Sequence, residues 1–115
     1  MEYNPNYWQV VKITSPEGKV FYKVYATWTG GWTTSDSWKM NSGITRVTKV
    51  DDMIEFHGYS GSVYKCINVE HLYRTTAYTH GVLESMMKKA ELVGAKIEVL
   101  PFNTNFEELI DESSD

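Results

Sequence analysis

Apolar and polar positions alternate with a period of two along most of this chain and change to a helical period once. Trp8 to Thr14 (WQVVKIT) is apolar and β-branched and reads as a strand. Ser15-Pro16-Glu17-Gly18 follows, with Pro and Gly at the second and fourth positions of a type I turn. From Lys19 to Trp28 the pattern alternates: Val20, Tyr22, Val24, Ala26 and Trp28 point one way, Phe21, Lys23, Tyr25 and Thr27 the other. These two segments predict a hairpin. Ile44–Val50, Met53–Tyr59 and Ser62–Ile67, joined at Asp51-Asp52 and Ser60-Gly61, predict an antiparallel meander. Between hairpin and meander, residues 29–43 (TGGWTTSDSWKMNSG) carry neither period and read as a long, glycine-flanked loop.

The helical period runs from about Thr79, read as the cap, to Val93. Val82, Leu83, Met86, Met87, Ala90 and Val93 share one face, Glu84 precedes Lys88 in the favourable order, and Gly94 follows as a left-handed stop. Ala95–Leu100 predicts a last strand, ended by Pro101. Thr104-Asn105-Phe106-Glu107 has capping-box spacing and predicts a short C-terminal helix over Phe106, Leu109 and Ile110. The expectation is an α+β domain: a mostly antiparallel sheet of about six strands, one amphipathic helix on one face, and a short C-terminal helix.

Composition narrows the class. The 115 residues suffice for one domain with a core of its own, read as residues 1–101 followed by an acidic tail over 102–115. Residues 1–101 hold all 11 Lys and Arg against 10 acids, whereas the tail holds five acids and no base. A nearly neutral body with Arg46 and Arg74 as its only arginines lacks the basic footprint of a duplex-DNA binder. No apolar run is long enough to span a membrane, and MEYNPNYW lacks the basic start and apolar stretch of a signal peptide. The lone Cys66 forms no internal disulfide and fits a reducing cytoplasm. Open sheet edges in so small a domain predict a homo-oligomer.

The chemistry of catalysis is sparse. Cys66 lies within a strand and reads as a packed residue. His57, His71 and His80 have spacings that match no zinc signature, so neither metal nor cofactor is expected. Gly58-Tyr59-Ser60-Gly61 falls short of a nucleophile elbow, and no phosphate-cradling P-loop occurs. The chain therefore reads as a non-enzyme.

Binding features are denser. Trp32 and Trp38, among Asp36, Lys39 and Asn41, either cover the sheet or stack on a ligand. In HGYSGSVYK, Gly58 and Gly61 allow close backbone approach beside His57, Ser60 and Ser62. His71–Thr76 precedes a helix N-terminus, where Arg74 adds a charged fork. If the three segments meet, Trp32, Trp38 and Tyr59 would stack on a flat molecule. Lys39, Arg46, Lys65 and Arg74 would then meet its phosphate, while Asp36 and Asn41 would read its polar edges.

At Ser37-Trp38-Lys39-Met40-Asn41-Ser42-Gly43-Ile44, and again at Phe56-His57-Gly58-Tyr59-Ser60-Gly61-Ser62-Val63-Tyr64-Lys65-Cys66, the chain resembles small accessory proteins of tailed bacteriophages, over most of residues 4–101. Such proteins carry no established activity, so the resemblance assigns no residue a role. It implies an antagonist of host defence acting in the host cytoplasm. One form is a sponge that sequesters a cyclic nucleotide or nucleotide-derived immune messenger. The other is a protein-binding inhibitor of a host defence complex, of the anti-CRISPR or anti-restriction type.

Overall fold

A computed structural model describes residues 1–32 and 35–113; Thr33 and Thr34 of the predicted loop, and Ser114 and Asp115 of the acidic tail, lie outside the described residues. Eight strands and two α-helices follow in chain order: β1 (Glu2–Tyr3), β2 (Tyr7–Thr14), β3 (Val20–Trp28), β4 (Ser37–Met40), β5 (Ile44–Val50), β6 (Met53–Gly58), β7 (Val63–Ile67), α1 (Ala77–Leu92), β8 (Lys96–Val99) and α2 (Phe106–Ser113). A 3₁₀ turn at Glu70–Leu72 leads into α1. The strands form two four-stranded sheets, ordered β1-β7-β6-β5 and β4-β3-β2-β8.

The expected α+β class holds, but the single sheet of about six strands is corrected to two sheets of four. β2 and β3 explain the division. Trp8, Val10, Val24 and Ala26 face the first sheet and share a core with Ile44, Val47, Ile54, Phe56, Tyr64 and Cys66. Val11 and Tyr25, between them in sequence, face the opposite way onto Leu83 of α1, flanked by Ile13, Met40, Met86 and Met87. The β2–β3 hairpin is thus buried on both faces, as apolar neighbours such as Val10-Val11 require.

The hairpin and the meander form with the predicted pairing, Tyr7–Thr14 against Val20–Thr27 and β5-β6-β7 in sequence. β1 adds a parallel pair beside β7, which two residues of sequence do not signal. The 29–43 segment is corrected: it contains β4, antiparallel to β3. β4 is too short to establish a period, and its four residues alternate small, aromatic, charged and thioether side chains. The helix cap is corrected from Thr79 to Thr76, whose Oγ1 accepts from the Thr79 N–H while Thr79 Oγ1 accepts from the Thr76 N–H. Thr79 is instead a buried first-turn residue, held by Thr27 Oγ1 at 3.1 Å. Asn105, not Thr104, supplies the side-chain cap of α2, accepting from Glu108 N at 3.1 Å. Phe102, Phe106 and Ile110 pack into the inter-sheet core.

Candidate functional site

The residues that the sequence groups into one pocket occupy several separate places. Trp38 and Met40 point to the α1 side of β4, because their register partners Thr27 and Tyr25 do. The Trp38 ring lies 5.7 Å from that of Tyr25. Tyr25 is fully buried and donates to Thr79 O at 2.7 Å; burial first, then Tyr78, pushes its phenol up to about 12. Trp38 therefore stands on a fixed platform, yet it remains 39% exposed. It walls an apolar groove of about 600 Å³ whose other side is α1, with Tyr78, Val82 and Met86, Gly81 and Ser85 between them, and Lys89.

Asp36 lies just before β4. Its carboxylate accepts from Gly30 N at 3.0 Å and from the Thr76 side chain, and these bonds hold it below the ordinary carboxylate range. The protein's own carboxylate thus already engages the start of α1, where a ligand anion was expected. Trp32, six residues before Trp38 in sequence, is 96% exposed and does not line the groove beside Trp38.

Lys39 points the other way, with its amine 5.0 Å from the Tyr3 ring. Arg46 and His57 lie on the outer face of the first sheet, since Val47 and Phe56 face inward and a register shift at Thr45 turns Arg46 out. Arg46 donates to His57 Nδ1 (3.3 Å), and Thr48 Oγ1 lies 3.3 Å from Nε2. Partial burial, and then the Arg46 charge, hold the His57 imidazole below its usual pKa; Glu55 opposes them. Lys65, on the same sheet, pairs with Glu2 at 3.1 Å, and Arg74 stacks over the Tyr7 ring at 5.2 Å.

Asn41, Ser60 and Ser62 gather where β4 crosses to β5. Asn41 is 3% exposed and continues the β3–β4 ladder: its N–H reaches Val24 O, and its Oδ1 accepts from Val24 N at 2.8 Å. Asn41 therefore splices the strands through its N–H and Oδ1, while its buried Nδ2 has no hydrogen-bond partner among the described residues. Ser42 Oγ accepts from Ser60 N at 3.0 Å, and Ser60 Oγ lies 3.4 Å from Ser62 Oγ. Gly58 makes room for this junction: a Cβ there would meet Ser42 Oγ at 2.9 Å. Gly43 adopts φ 137°, and Tyr59, 73% exposed, lies across it.

Of the groove residues of α1, the sequence reading places Val82 and Met86 on the apolar helix face and starts the helix only after Tyr78. The signal was present as an excess of width. Tyr78, Val82 and Met86 form one stripe and Thr79, Leu83 and Met87 a second beside it, but only Thr79 and Leu83 are buried. Among the described residues, no group of three His, Cys, Asp or Glu converges and no helix is long and apolar enough to cross a membrane. Cys66 is buried, which pushes its thiol well above the ordinary range. No family model, curated protein or solved structure matches this chain.

Proposed function

We propose that this chain is a non-catalytic recognition module that holds a protein partner in the groove between β4 and α1. The observation that carries the reading is Trp38, an indole supported by Tyr25 and left 39% exposed on an apolar groove of about 600 Å³. Aromatic anchors in such places carry a large share of binding energy.

Two ligand classes follow from the sequence, and the dispersal of cations favours the protein over the nucleotide messenger. Arg46 engages His57, Lys65 engages Glu2, and Lys39 and Arg74 lie over tyrosine rings, so none of the four lines the groove beside Trp38. A buried thiol and an imidazole engaged by Arg46 and Thr48 support a role without catalysis. Taken with the resemblance to phage accessory proteins, the partner is a component of a host defence complex and the module its inhibitor.

The test compares wild type, Trp38→Ala and Arg46→Ala in two assays: affinity capture from a bacterial host followed by remixing of purified components, and thermal shift against cyclic di- and trinucleotides and ADP-ribose derivatives. A stoichiometric protein complex lost with Trp38→Ala and kept with Arg46→Ala is the expected result. Stabilisation by a nucleotide that survives Trp38→Ala and disappears with Arg46→Ala overturns it in favour of messenger capture; about 2.7 kcal/mol is expected at 100 times the Kd.

A further inference from the structure

The groove runs beside an open sheet edge, and the hydrogen-bond phase of that edge matches it. β4 ends the order of its sheet. The Asn41 N–H donates to Val24 O, and Asn41 Oδ1 takes the Val24 N–H. Hydrogen-bonded positions alternate along an antiparallel pair. Lys39 and Ser37, opposite Ala26 and Trp28, therefore direct their N–H and C=O groups to β3. Trp38 and Met40 turn theirs to the open edge.

These are the same two residues whose side chains point to the α1 side. Cross-strand partners in an antiparallel pair share a face. A strand added to β4 would thus bond its backbone to Trp38 and Met40 through two residues spaced i and i+2, and both of their side chains would enter the groove. The helix side leaves room for them: a Cβ on Gly81 would meet nothing within 4 Å, and Ser85 lies one turn on. The residue between them would lie opposite Lys39, and among the described residues Lys89 is the one charged side chain lining the groove.

Resting on the groove reading above, we infer that the partner docks as an extended segment, adding a strand to β4 with apolar side chains at two alternate positions and a carboxylate beside Lys39 or Lys89. Main-chain bonds along the edge supply affinity and alternate side chains supply choice, as in other strand-addition sites. Charge selects this occupant over a second copy. Pairing β4 antiparallel with its own copy so that Trp38 meets Met40 sets Lys39 directly against Lys39, a destabilising arrangement.

The probe is a displayed library of random short peptides, selected on the full chain, with the best binder then synthesised. Enriched sequences should carry apolar residues at i and i+2 with an acid between or next to them. Bound peptide should slow amide hydrogen exchange at Trp38 and Met40 by at least about tenfold and leave Ser37 and Lys39 nearly unchanged, since their amides are already bonded. N-methylation of the peptide's edge-facing amides should weaken binding by about tenfold or more. Gly81→Leu, which fills the groove from a position with open space, should do the same if Trp38→Ala unfolds the chain.

Enriched peptides with i, i+3, i+4 spacing overturn strand addition, as does binding lost with Gly81→Leu but without protection at Trp38 and Met40; both leave the groove reading standing. Protection of these amides without peptide, rising with protein concentration alongside a dimer in sedimentation, makes the occupant a second copy and overturns the inference. Binding unaffected by both Trp38→Ala and Gly81→Leu removes the groove reading as well.

Discussion

Tyr73→Phe removes one oxygen from a place where the sheet needs it. Val10 turns its N–H and C=O toward β8; its C=O accepts from Leu100 N at 2.9 Å, but its N–H is not bonded directly to the Leu100 carbonyl opposite. The Tyr73 hydroxyl takes over, accepting from Val10 N at 3.0 Å and donating to Leu100 O at 2.5 Å. Val10 is 1% exposed, so its N–H would be stranded at about 1–3 kcal/mol. Leu100 is half-buried and its carbonyl regains some water, adding about 0.5–1 kcal/mol. The sum is about 1.5–4 kcal/mol, or a fall of about 6–16 °C in Tm for a domain of this length. The ring contacts to Trp8 (4.7 Å) and Phe102 (5.6 Å) survive the substitution, so the effect isolates the hydroxyl. Urea unfolding followed by circular dichroism and tryptophan fluorescence measures it, with an unchanged m-value expected. A loss below about 0.5 kcal/mol refutes the reasoning, because it means that water replaces the phenol at Val10.

Three further outcomes follow. Burial holds Tyr25, Tyr64 and Tyr73 at about 12, above the ordinary 10.0. A raised folded pKa gives stability that is complete below the unfolded value and lost as pH rises through the folded one, so the chain should unfold in alkali between about pH 10 and 12. Tyrosinate absorbance recorded with circular dichroism checks this, and free titration of all tyrosines near 10 with the fold intact contradicts it. Thr76→Ala removes the α1 cap and a partner of Asp36, and should cost about 1 kcal/mol with faster amide exchange confined to the first turn. Phe106→Ala empties a core site between Trp8 and Phe56 and should cost about 3–5 kcal/mol by denaturant titration, far more than any change to a solvated tail.

Periodicity carried the parts of the fold that repeat. The β2–β3 hairpin, the meander and α1 each run long enough for their period to stand out, whereas β1 and β4 span two and four residues and do not. Choice of helix cap turned on geometry: Thr76 and Thr79 both offer hydroxyls, and only folding shows that the second is buried beneath Tyr25 and Thr27. The candidate site was legible in Trp38 alone. Arg46, His57 and Lys65 are outward residues of the first sheet, which alternation within each strand permits but which no sequence distance relates to β4. Asn41 reads as a ligand contact because polar residues in irregular segments often are; its side-chain oxygen serves instead as a substitute peptide carbonyl for Val24, and its Nδ2 is left buried without a partner among the described residues.

β2 lies between β3, its immediate successor, and β8, which pairs Lys96–Val99 with Val11–Thr14. The N-terminal β1 likewise waits for β7, through pairs such as Tyr3 with Tyr64. Closing these distant pairings spends chain entropy before any reward arrives. During synthesis the hairpin can form early, but its outer face stays bare until α1 and β8 have been made. Folding of this domain is therefore expected to be slow and nearly all-or-none, completed only after about the last fifth of the sequence has emerged.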